Sequence, residues 1–315
     1  MEDLELTILG SSSALPISNR HPTSQFLTIS NRHFLIDCGE GTQIRLRENG
    51  IGFSRINHIL ISHMHGDHVY GLVPLLTSLH LLDRQKEMHI YGPPNLKETV
   101  ENLLKNTGAY LKFPLVFHAF ESGKKALLFE DNALEIYTFP LKHSLPCWGF
   151  LFKEKARAKN IKGELIEKLG IPYGEINDIK QGADFEDSKG TIHKNETLTT
   201  PALPALSYAF CTDTAPLQKL STFISEPDIL YHEATFTEEH AARAKKTKHS
   251  TAKQAAEIAK LVQAKNLLLG HFSVRYNDFA ELLSEAKPIF EATQLALQGT
   301  TFLIKRKEGK LLVKE

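Results

Sequence analysis

Short apolar runs separated by turn residues fill the start of the chain and predict β-strands. The runs are LELTILG (4–10), SQFLTIS (24–30), HFLIDCG (33–39) and HILIS (58–62). The second and third of these runs have the spacing of a hairpin. After His68 the apolar positions recur with helical spacing, and Pro74 falls in an early turn of this predicted helix, where proline is tolerated.

Strands and helices alternate along the rest of the chain. Further strands are predicted at MHIYGPP (88–94), LEIYTFPLKHS (134–144), ALSYAFCTDT (205–214), DILYHEATF (228–236) and NLLLGHFS (266–273). Helices are predicted at 95–108, with an Asn cap, and at 251–265, which Ser250 or Thr251 would cap. This order of elements predicts a mixed α/β sheet packed by helices.

One segment, 153–200, interrupts the alternation. It is charged, poor in large apolar residues and punctuated by Gly and Pro. We therefore expect a single domain over residues 1–315, with 153–200 as an insertion that projects from its core.

Composition narrows the class of protein. With 42% hydrophobic and 23% charged residues the chain is typical of a soluble globular protein, and its 37 basic residues balance 37 acidic ones. No apolar run reaches the roughly 18 residues of a membrane span, and MEDLELTILG is too acidic for a signal peptide. Cys38, Cys147 and Cys211 are too far apart for a disulfide framework or a thiolate zinc site, which predicts a cytoplasmic protein.

Residues that commonly bind metals stand where the predicted strands end. They are His63, His65, Asp67, His68, His143, Asp213 and His271. The carboxyl ends of strands are where α/β sheets gather their ligand sites. Imidazole and carboxylate groups without a nearby Cys indicate a catalytic zinc site.

The spacing within HMHGDH (63–68) indicates more than one ion. His63 and His65 point to the same side of an extended segment and can hold one ion. Asp67 and His68 follow a turn at Gly66 and are aimed at a neighbouring position. Three imidazoles and an acid in six positions have no packing rationale, so a metal role is expected.

The remaining donors are less specific one by one. A lone histidine at a strand end, such as His143 or His271, is more often a surface residue. Taken together, seven donors suit two ions, with Asp213 bridging them. Two such ions can hold a bridging hydroxide near neutral pH, which is machinery for phosphoester or ester hydrolysis.

Longer motifs resemble the ribonuclease Z family of the metallo-β-lactamase superfamily, in order and spacing. They are LGSSSALP, FLIDCGEGTQIRL (34–46), ISHMHGDHVYGLVPLL (61–76), LKHSLPCWGF (141–150), CTDTAP (211–216), YHEATF (231–236), KHSTAKQAAEIA (248–259) and LGHFSVRY (269–276). The resemblance covers nearly the whole chain, and its HEAT and HST elements are more specific than HxHxDH. It implies an αββα sandwich of two mixed β-sheets flanked by helices, with 153–200 as an inserted flexible arm that grips tRNA away from the cleavage site.

The same resemblance implies an activity and residue roles. The activity is removal of the 3′ trailer from precursor tRNA, which leaves a 3′-hydroxyl on the tRNA and a 5′-phosphate on the trailer. Two Zn²⁺ ions per subunit, or Mn²⁺, would be bound, the first by His63, His65, His143 and Asp213 and the second by Asp67, His68, Asp213 and His271. Asp67 would also accept a proton from the attacking water, and Glu233 with His249 would deliver one to the leaving 3′-oxygen. Asp37 fits a residue that orients a metal-bound histidine, and equally a turn aspartate.

Two basic patches suit RNA phosphates. Against one acid, residues 153–162 carry Lys153, Lys155, Arg157, Lys159 and Lys162. RAKKTKH (243–249) adds four more basic side chains beside the expected proton donor. Most such runs are solvated surface, but beside the metal motif we expect RNA contact. The resemblance also implies a homodimer, in which the arm of one subunit presents tRNA to the site of the other.

The chain departs from the family pattern in two places, and two other functions stay open. PISNRH (16–21) lacks the Lys and final Asn of PxKxRN, a loop linked to substrates near the CCA end, and GIPYGE (170–175) has Glu175 where the arm usually has Pro.

One alternative function is that of another enzyme of the same fold, a phosphodiesterase on small or cyclic substrates or a thioester hydrolase. The arm, HEAT and HST disfavour it. The other is a non-catalytic RNA- or metal-binding protein, disfavoured by the proton-transfer set of Asp67, Glu233 and His249.

Overall fold

A computed structural model describes residues 4–121 and 123–314. The chain divides into two compact units, one formed by the residues up to Lys153 together with those from Leu206, the other by Glu154–Ala205. The start of the chain, Met1–Asp3, on which the argument against a signal peptide drew, lies outside the described residues. In the described ranges no helix combines the length and the apolar character needed to cross a membrane.

The larger unit contains two sheets. The strands of the first sheet are β1 (Leu4–Gly10), β2 (Ser24–Ile29), β3 (Arg32–Ile36), β4 (His58–Leu60), β5 (Met88–Gly92), β6 (Leu115–Ala119), β18 (Thr301–Lys305) and β19 (Lys310–Lys314). Their order is β19-β18-β1-β2-β3-β4-β5-β6. Neighbours are antiparallel from β19 to β3 and parallel from β3 to β6, so the sheet is mixed.

The second sheet is mixed as well. Its strands are β7 (Ala126–Glu130), β8 (Leu134–Leu141), β9 (Cys147–Glu154), β14 (Ser207–Cys211), β15 (Ile229–Glu233), β16 (Leu267–Gly270) and β17 (Thr293–Leu295). Their order is β17-β16-β15-β14-β9-β8-β7. Strands β14 to β17 run parallel, whereas β9 and β14 are antiparallel and pair Lys153 with Ser207.

Apolar side chains pack in three layers around these sheets. Between the sheets, Leu6 and Phe34 of the first share one buried cluster with Phe150 and Tyr231 of the second. The helices are α1 (Thr42–Glu48), α2 (Gly66–Val69), α3 (Leu72–Leu81), α4 (Leu96–Asn106), α8 (Ala241–Thr247), α9 (Ala252–Leu261) and α10 (Ala280–Ala286), with 3-10 turns at Phe53–Arg55, Gln218–Thr222 and Glu238–His240. Helices α1, α3 and α4 cover the first sheet and α9 and α10 the second, which is the αββα sandwich that the family resemblance implied.

Element boundaries differ from the predictions at several points. The helix predicted after His68 begins only at Leu72, as α3, and follows the separate short helix α2. Gly71 lies between the two helices, where a Cβ atom would be 2.0 Å from the carbonyl oxygen of Gly39. Asn95 stands at the start of α4 but makes no capping hydrogen bond, because its backbone is already helical. Helix α9 begins with a capping box at Thr251 and ends at Leu261, four residues before the predicted end.

The smaller unit is folded by itself. Its elements are β10 (Asn160–Ile161), β11 (Phe185–Glu186), β12 (Ile192–His193), β13 (Thr199–Thr200), α5 (Gly163–Leu169), α6 (Ile176–Gln181), α7 (Asn195–Leu198) and a 3-10 turn at Tyr173–Glu175. A small core of Ile171, Ile179, Phe185 and Leu198 holds these elements together. The expected insertion, 153–200, lies almost entirely within this unit.

Candidate metal centre and active site

Strands of both sheets bring histidines and carboxylates to one edge of the sandwich. HMHGDH (63–68) follows β4 of the first sheet, whereas His143, Asp213 and His271 follow β8, β14 and β16 of the second. Their ligand atoms form compact groups, in each of which all ligand atoms lie within 4.8 Å of one another. All seven residues predicted as metal ligands therefore meet at the carboxyl ends of the strands.

The first group consists of His63, His65, His143 and Asp213. His65 Nδ1 lies 2.9 Å from His63 Nε2 and 3.2 Å from His143 Nε2. Asp213 Oδ2 lies 3.5 Å from His143 Nε2 and 3.7 Å from His63 Nε2. Three nitrogens and one carboxylate oxygen thus converge on a single position.

The second group consists of Asp67, His68 and His271. Asp67 Oδ2 lies 3.4 Å from His271 Nε2 and 3.5 Å from His68 Nε2. Asp213 Oδ1 lies 3.2 Å from each of these two nitrogens. The two oxygens of Asp213 therefore face different groups, which is the arrangement that a bridging carboxylate requires.

Each buried imidazole in these groups is held from outside through its Nδ1 atom. The partners are Ser62 Oγ for His63 (3.0 Å), Asp37 Oδ2 for His68 (2.7 Å), the carbonyl oxygen of Lys248 for His143 (3.2 Å) and Thr235 Oγ1 for His271 (2.9 Å). Such outer contacts fix the orientation of each ring and leave Nε2 facing inward.

Asp37 is the most connected of these outer residues. Its carboxylate is fully buried and accepts hydrogen bonds from Ser62 N at 2.7 Å and Ser62 Oγ at 2.9 Å, in addition to the bond with His68. Its backbone has a left-handed φ of 57°. Of the two roles that the sequence left open for Asp37, the geometry favours orientation of a histidine.

Burial and charge set these side chains in the protonation states that a cation needs. Burial lowers the pKa of His63, His65 and His143, which keeps their imidazoles neutral. Burial alone would raise the pKa of Asp67 and Asp213, but the nearby histidines lower both below their usual range. Neutral imidazoles and ionised carboxylates are metal-binding forms.

The surroundings of His68 Nε2 show that these residues fit a cation. Its buried Nε2 makes no hydrogen bond, although Asp213 Oδ1 is 3.2 Å away. Burial alone would lower the pKa of His68, but the carboxylates of Asp213 and Asp67 raise it well above its usual range. A nitrogen lone pair that faces carboxylate oxygens is repelled unless a proton or a cation lies between them, so the donor set fits a divalent metal ion.

Buried Glu233 and half-buried His249 form a pair next to this centre. Glu233 ends β15, and its Oε1 accepts from His249 Nδ1 at 2.8 Å and from Thr214 N at 2.6 Å. Burial alone would lower the pKa of His249, but the Glu233 carboxylate raises it to about 9. His249 Nε2 lies 4.0 Å from Asp213 Oδ2, so the pair that was predicted to move a proton adjoins the metal-binding group.

An open cavity of about 660 Å³ gives access to both features. His65, Asp67, His143, Asp213 and His249 form part of its wall. Basic side chains of Lys246 and Lys248 and the apolar side chains of Leu15 and Tyr70 form other parts. The cavity thus combines metal-binding groups with cations and an aromatic ring.

Several residues with direct contacts to the site were missed in the sequence. Thr235, the last letter of HEAT, donates to Glu233 Oε2 at 2.6 Å and contacts His271, so the motif itself carried a signal. Lys248 and Ala14 act through backbone atoms, since the Ala14 N–H donates to Asp67 Oδ2 at 2.8 Å. Almost any residue can make such backbone contacts, so the sequence does not reveal them.

The chain is similar to several known proteins. The family model described as Anti-Pycsar protein Apyc1 matches residues 4–156. Ribonuclease Z of Bacteroides thetaiotaomicron is 43% identical over 304 residues, 96% of each chain. Ribonuclease Z of Cytophaga hutchinsonii is 42% identical, again over 96% of each chain.

Solved structures agree with these sequence matches. Human tRNase Z, short form, superposes with a TM-score of 0.70 at 26% identity, covering 94% of this chain and 98% of that one. The metallo-β-lactamase-fold protein YhfI of Bacillus subtilis has a TM-score of 0.69 at 17% identity, covering 96% and 100%, which supports the fold alone. Identity above 40% over nearly the full length of both chains shows that this chain belongs to the ribonuclease Z family, a family of endoribonucleases, with the metallo-β-lactamase fold.

Proposed function

We propose that this protein removes the 3′ trailer from precursor tRNA, leaving a 3′-hydroxyl on the tRNA and a 5′-phosphate on the trailer. The observation that carries the proposal is the placement of the Glu233–His249 pair beside two ligand groups that share Asp213. Similarity to ribonuclease Z of Bacteroides thetaiotaomicron and to human tRNase Z supports tRNA as the substrate. The activity suits the cytoplasm, as do three unpaired cysteines.

Two divalent cations per subunit are part of the proposal. The first would be held by His63, His65, His143 and Asp213, and the second by Asp67, His68, Asp213 and His271. Imidazole and carboxylate ligands without thiolate favour Zn²⁺, with Mn²⁺ as the alternative. When bound, such ions activate water near neutral pH and neutralise charge on the phosphate.

The chain's own groups move the protons. Water attacks phosphorus, and its proton passes to Asp67, whose carboxylate lines the cavity and is oriented by the Ala14 N–H. As the bond between phosphorus and the 3′-oxygen breaks, His249 donates its proton to that oxygen. Before this step the imidazole of His249 is protonated. The buried carboxylate of Glu233, which is hydrogen-bonded to His249 Nδ1, stabilises that protonated form.

We propose that the smaller unit, Glu154–Ala205, is the arm that binds tRNA away from the cleavage site. Part of the basic run that suggested this role also has partners inside the unit. Arg157 pairs with Glu154 at 3.3 Å, Lys159 Nζ donates to Asn195 Oδ1 at 2.8 Å and Lys162 Nζ donates to the carbonyl oxygen of Thr197 at 2.7 Å. Lysine ammonium groups keep further protons for phosphate, so these side chains can support the fold of the unit and bind RNA.

A homodimer is the oligomeric state that we propose. A groove of about 860 Å³ is lined mostly by apolar side chains of α3 and α4, among them Val73, Val100 and Leu103. Leu103 is 47% exposed. Contiguous apolar surface of this kind is typical of an interface between protein chains.

A phosphodiesterase acting on small or cyclic phosphodiesters is the second candidate. It would use the same metal-binding residues. One observation is compatible with it: the Apyc1 family model matches residues 4–156, a range that ends before Glu233 and His249 and before most of the smaller unit.

The test is cleavage of a 5′-labelled precursor tRNA without CCA by metal-loaded protein, with Asp67→Ala as control. We expect a metal-dependent cut just after the discriminator base, absent in the variant and after chelation. An intact precursor together with hydrolysis of bis-p-nitrophenyl phosphate would instead support the small-substrate phosphodiesterase.

A further inference from the structure

Tyr70 presents an aromatic ring to solvent at the wall of the active-site cavity. Its side chain is 71% exposed and forms part of the cavity wall. The ring packs against Gly66, where a Cβ atom would lie 2.2 Å from Tyr70 Cε2 and 2.6 Å from Cδ2 and Cζ. The absence of a side chain at Gly66 therefore lets the ring rest on the backbone of the metal-binding motif.

The position of Tyr70 along the chain places it beside the reacting groups. Asp67 and Tyr70 are three residues apart on the turn of α2, and Tyr70 N donates to the carbonyl oxygen of Gly66 at 2.9 Å. Side chains at this spacing are neighbours, with Cβ atoms about 5–6 Å apart. That distance suits a nucleotide adjacent to a phosphate that Asp67 helps to cleave.

Nothing in the mechanism proposed above uses this ring. An exposed aromatic side chain that is fixed against backbone loses little conformational freedom when it binds a ligand. Unpaired RNA bases are recognised by stacking on such rings, whereas paired bases are not available for it. Lys246 and Lys248 on the wall of the same cavity supply positive charge for the RNA backbone.

We propose that Tyr70 is a stacking platform for an unpaired base next to the scissile phosphate. This inference rests on the proposed function, because it takes the substrate to be RNA with a single-stranded 3′ end. It makes Tyr70 a positioning residue: the stacked base would hold the phosphodiester in register with Asp67 and His249.

A competing role for the ring is contact with a second copy of the chain. Tyr70 also borders the apolar groove between α3 and α4. The cavity role is favoured because the ring packs on Gly66, which itself lines the cavity between His65 and Asp67. The two roles predict different effects of the same substitution.

The test uses precursor tRNA that carries 2-aminopurine at one of the two nucleotides flanking the cleavage site. The protein is kept metal-free with a chelator, so that it binds the tRNA without cutting it. We expect Tyr70→Ala to weaken binding about 5- to 150-fold and to abolish the quenching of 2-aminopurine fluorescence that stacking produces. Tyr70→Phe retains the ring and should bind within about twofold of the unmodified protein. Leu127→Ala removes an apolar side chain that is 50% exposed on β7 and lies outside both the cavity and the apolar groove, and it serves as the control.

Three outcomes decide the matter. Reduced binding and lost quenching in Tyr70→Ala alone support the stacking role. Binding and quenching by Tyr70→Ala equal to those of the unmodified protein overturn it, as does a shift from dimer to monomer that accounts for the whole change in affinity. Cleavage by the unmodified, metal-loaded protein is measured in parallel, so that an uncut precursor overturns the proposed function itself.

Discussion

At the residue scale, the site depends on side chains that orient other side chains. Asp37 holds His68 by one hydrogen bond and the backbone and hydroxyl of Ser62 by two more. Ser62 Oγ in turn contacts His63 Nδ1 at 3.0 Å, so one buried carboxylate reaches both ligand groups. A change at Asp37 should therefore affect metal binding although Asp37 is not itself a ligand.

We expect Asp37→Asn to weaken metal binding about 10- to 100-fold, because the amide cannot accept from both His68 and Ser62 as the carboxylate does. Competition against a chromogenic chelator measures this affinity. Asp83→Asn is the matched control, since Asp83 is exposed and has a left-handed φ of 60°, close to the 57° of Asp37. Equal metal affinity for all three proteins would contradict the role assigned to Asp37.

At the element scale, the start of α9 fixes the segment that carries His249. Thr251 Oγ1 accepts from Gln254 N at 3.2 Å, and Gln254 Oε1 accepts from Thr251 N at 3.0 Å. The preceding residue, Ser250, donates its backbone N–H to Glu233 Oε2 at 3.1 Å. The capping box and the Glu233–His249 pair are thus part of one backbone arrangement.

Thr251→Ala should lower the free energy of unfolding by about 1 kcal/mol through loss of the cap. It should also lower kcat, because a frayed start of α9 moves Ser250 away from Glu233. Denaturant unfolding and steady-state cleavage report the two effects. Thr251→Ser, which keeps the hydroxyl, should restore most of both; if the alanine variant unfolds like the serine variant, the cap contributes nothing.

A second feature at this scale is a stack of imidazoles across β4, β5 and β6. His58 lies over His89 at 5.1 Å between ring centroids, and His89 over His118 at 5.4 Å. Burial first, and then the charge of His89 and Lys86, lower the pKa of His58 to about 4. This pKa lies below the unfolded value of about 6.5, so the unfolded chain binds the extra proton between these pH values.

The free energy of unfolding should therefore be independent of His58 above about pH 6.5. As the pH falls from there toward 4, it should decrease, because the unfolded chain binds a proton at His58 that the folded chain does not. For His58 alone the loss should be about 1–2 kcal/mol, after allowance for its partial exposure. Unfolding free energies of the unmodified protein and His58→Gln across this range give the contribution by difference. Parallel curves for the two proteins would show that His58 does not titrate as described.

At the scale of the whole molecule, the smaller unit is inserted between β9 and β14, two adjacent strands of the second sheet that could be joined directly. Lys153 of β9 and Ser207 of β14 are paired neighbours on antiparallel strands. Each unit also has hydrophobic clusters of its own. A two-residue turn could therefore replace the insertion, because antiparallel neighbours need only a tight hairpin.

Replacing residues 155–205 by Asn-Gly should leave a folded protein with a cooperative thermal transition. If the smaller unit is the proposed arm, this change should weaken the binding of precursor tRNA at least about tenfold, because the phosphate contacts proposed for the arm would be lost. Hydrolysis of bis-p-nitrophenyl phosphate by the same variant reports on the catalytic centre. Full tRNA affinity in a folded deletion variant would refute the arm's role in RNA binding.

The residues of the site were easier to predict from the sequence than the full set of strands. HMHGDH joins several ligand types in one segment, and His143, Asp213 and His271 each follow the end of an apolar strand. All of these residues were expected to meet, and they do. By contrast β18 (TFLIK) and β19 (KLLVK), beyond the last recognised motif, were not predicted, because each has only three consecutive apolar residues between polar or charged ones, near an edge of the sheet.

Contacts made by backbone atoms were beyond prediction. The carbonyl oxygen of Lys248 holds His143, and the N–H of Ala14 holds Asp67, yet neither contact depends on residue type. Both residues have a left-handed φ, 58° and 63°, that the sequence gives no reason to expect at Lys or Ala. Tertiary packing decides such conformations, and residues at functional sites are often the ones that adopt them.

The three cysteines of the chain have a practical consequence. Cys38, Cys147 and Cys211 are all buried, and burial raises the pKa of each thiol, to about 12 for Cys38. Because only an accessible thiolate reacts quickly, none should take up a maleimide dye in the folded state. Tyr173→Cys, at a position 91% exposed in the smaller unit, would then label selectively, and its fluorescence would report in real time on the RNA binding proposed for this unit.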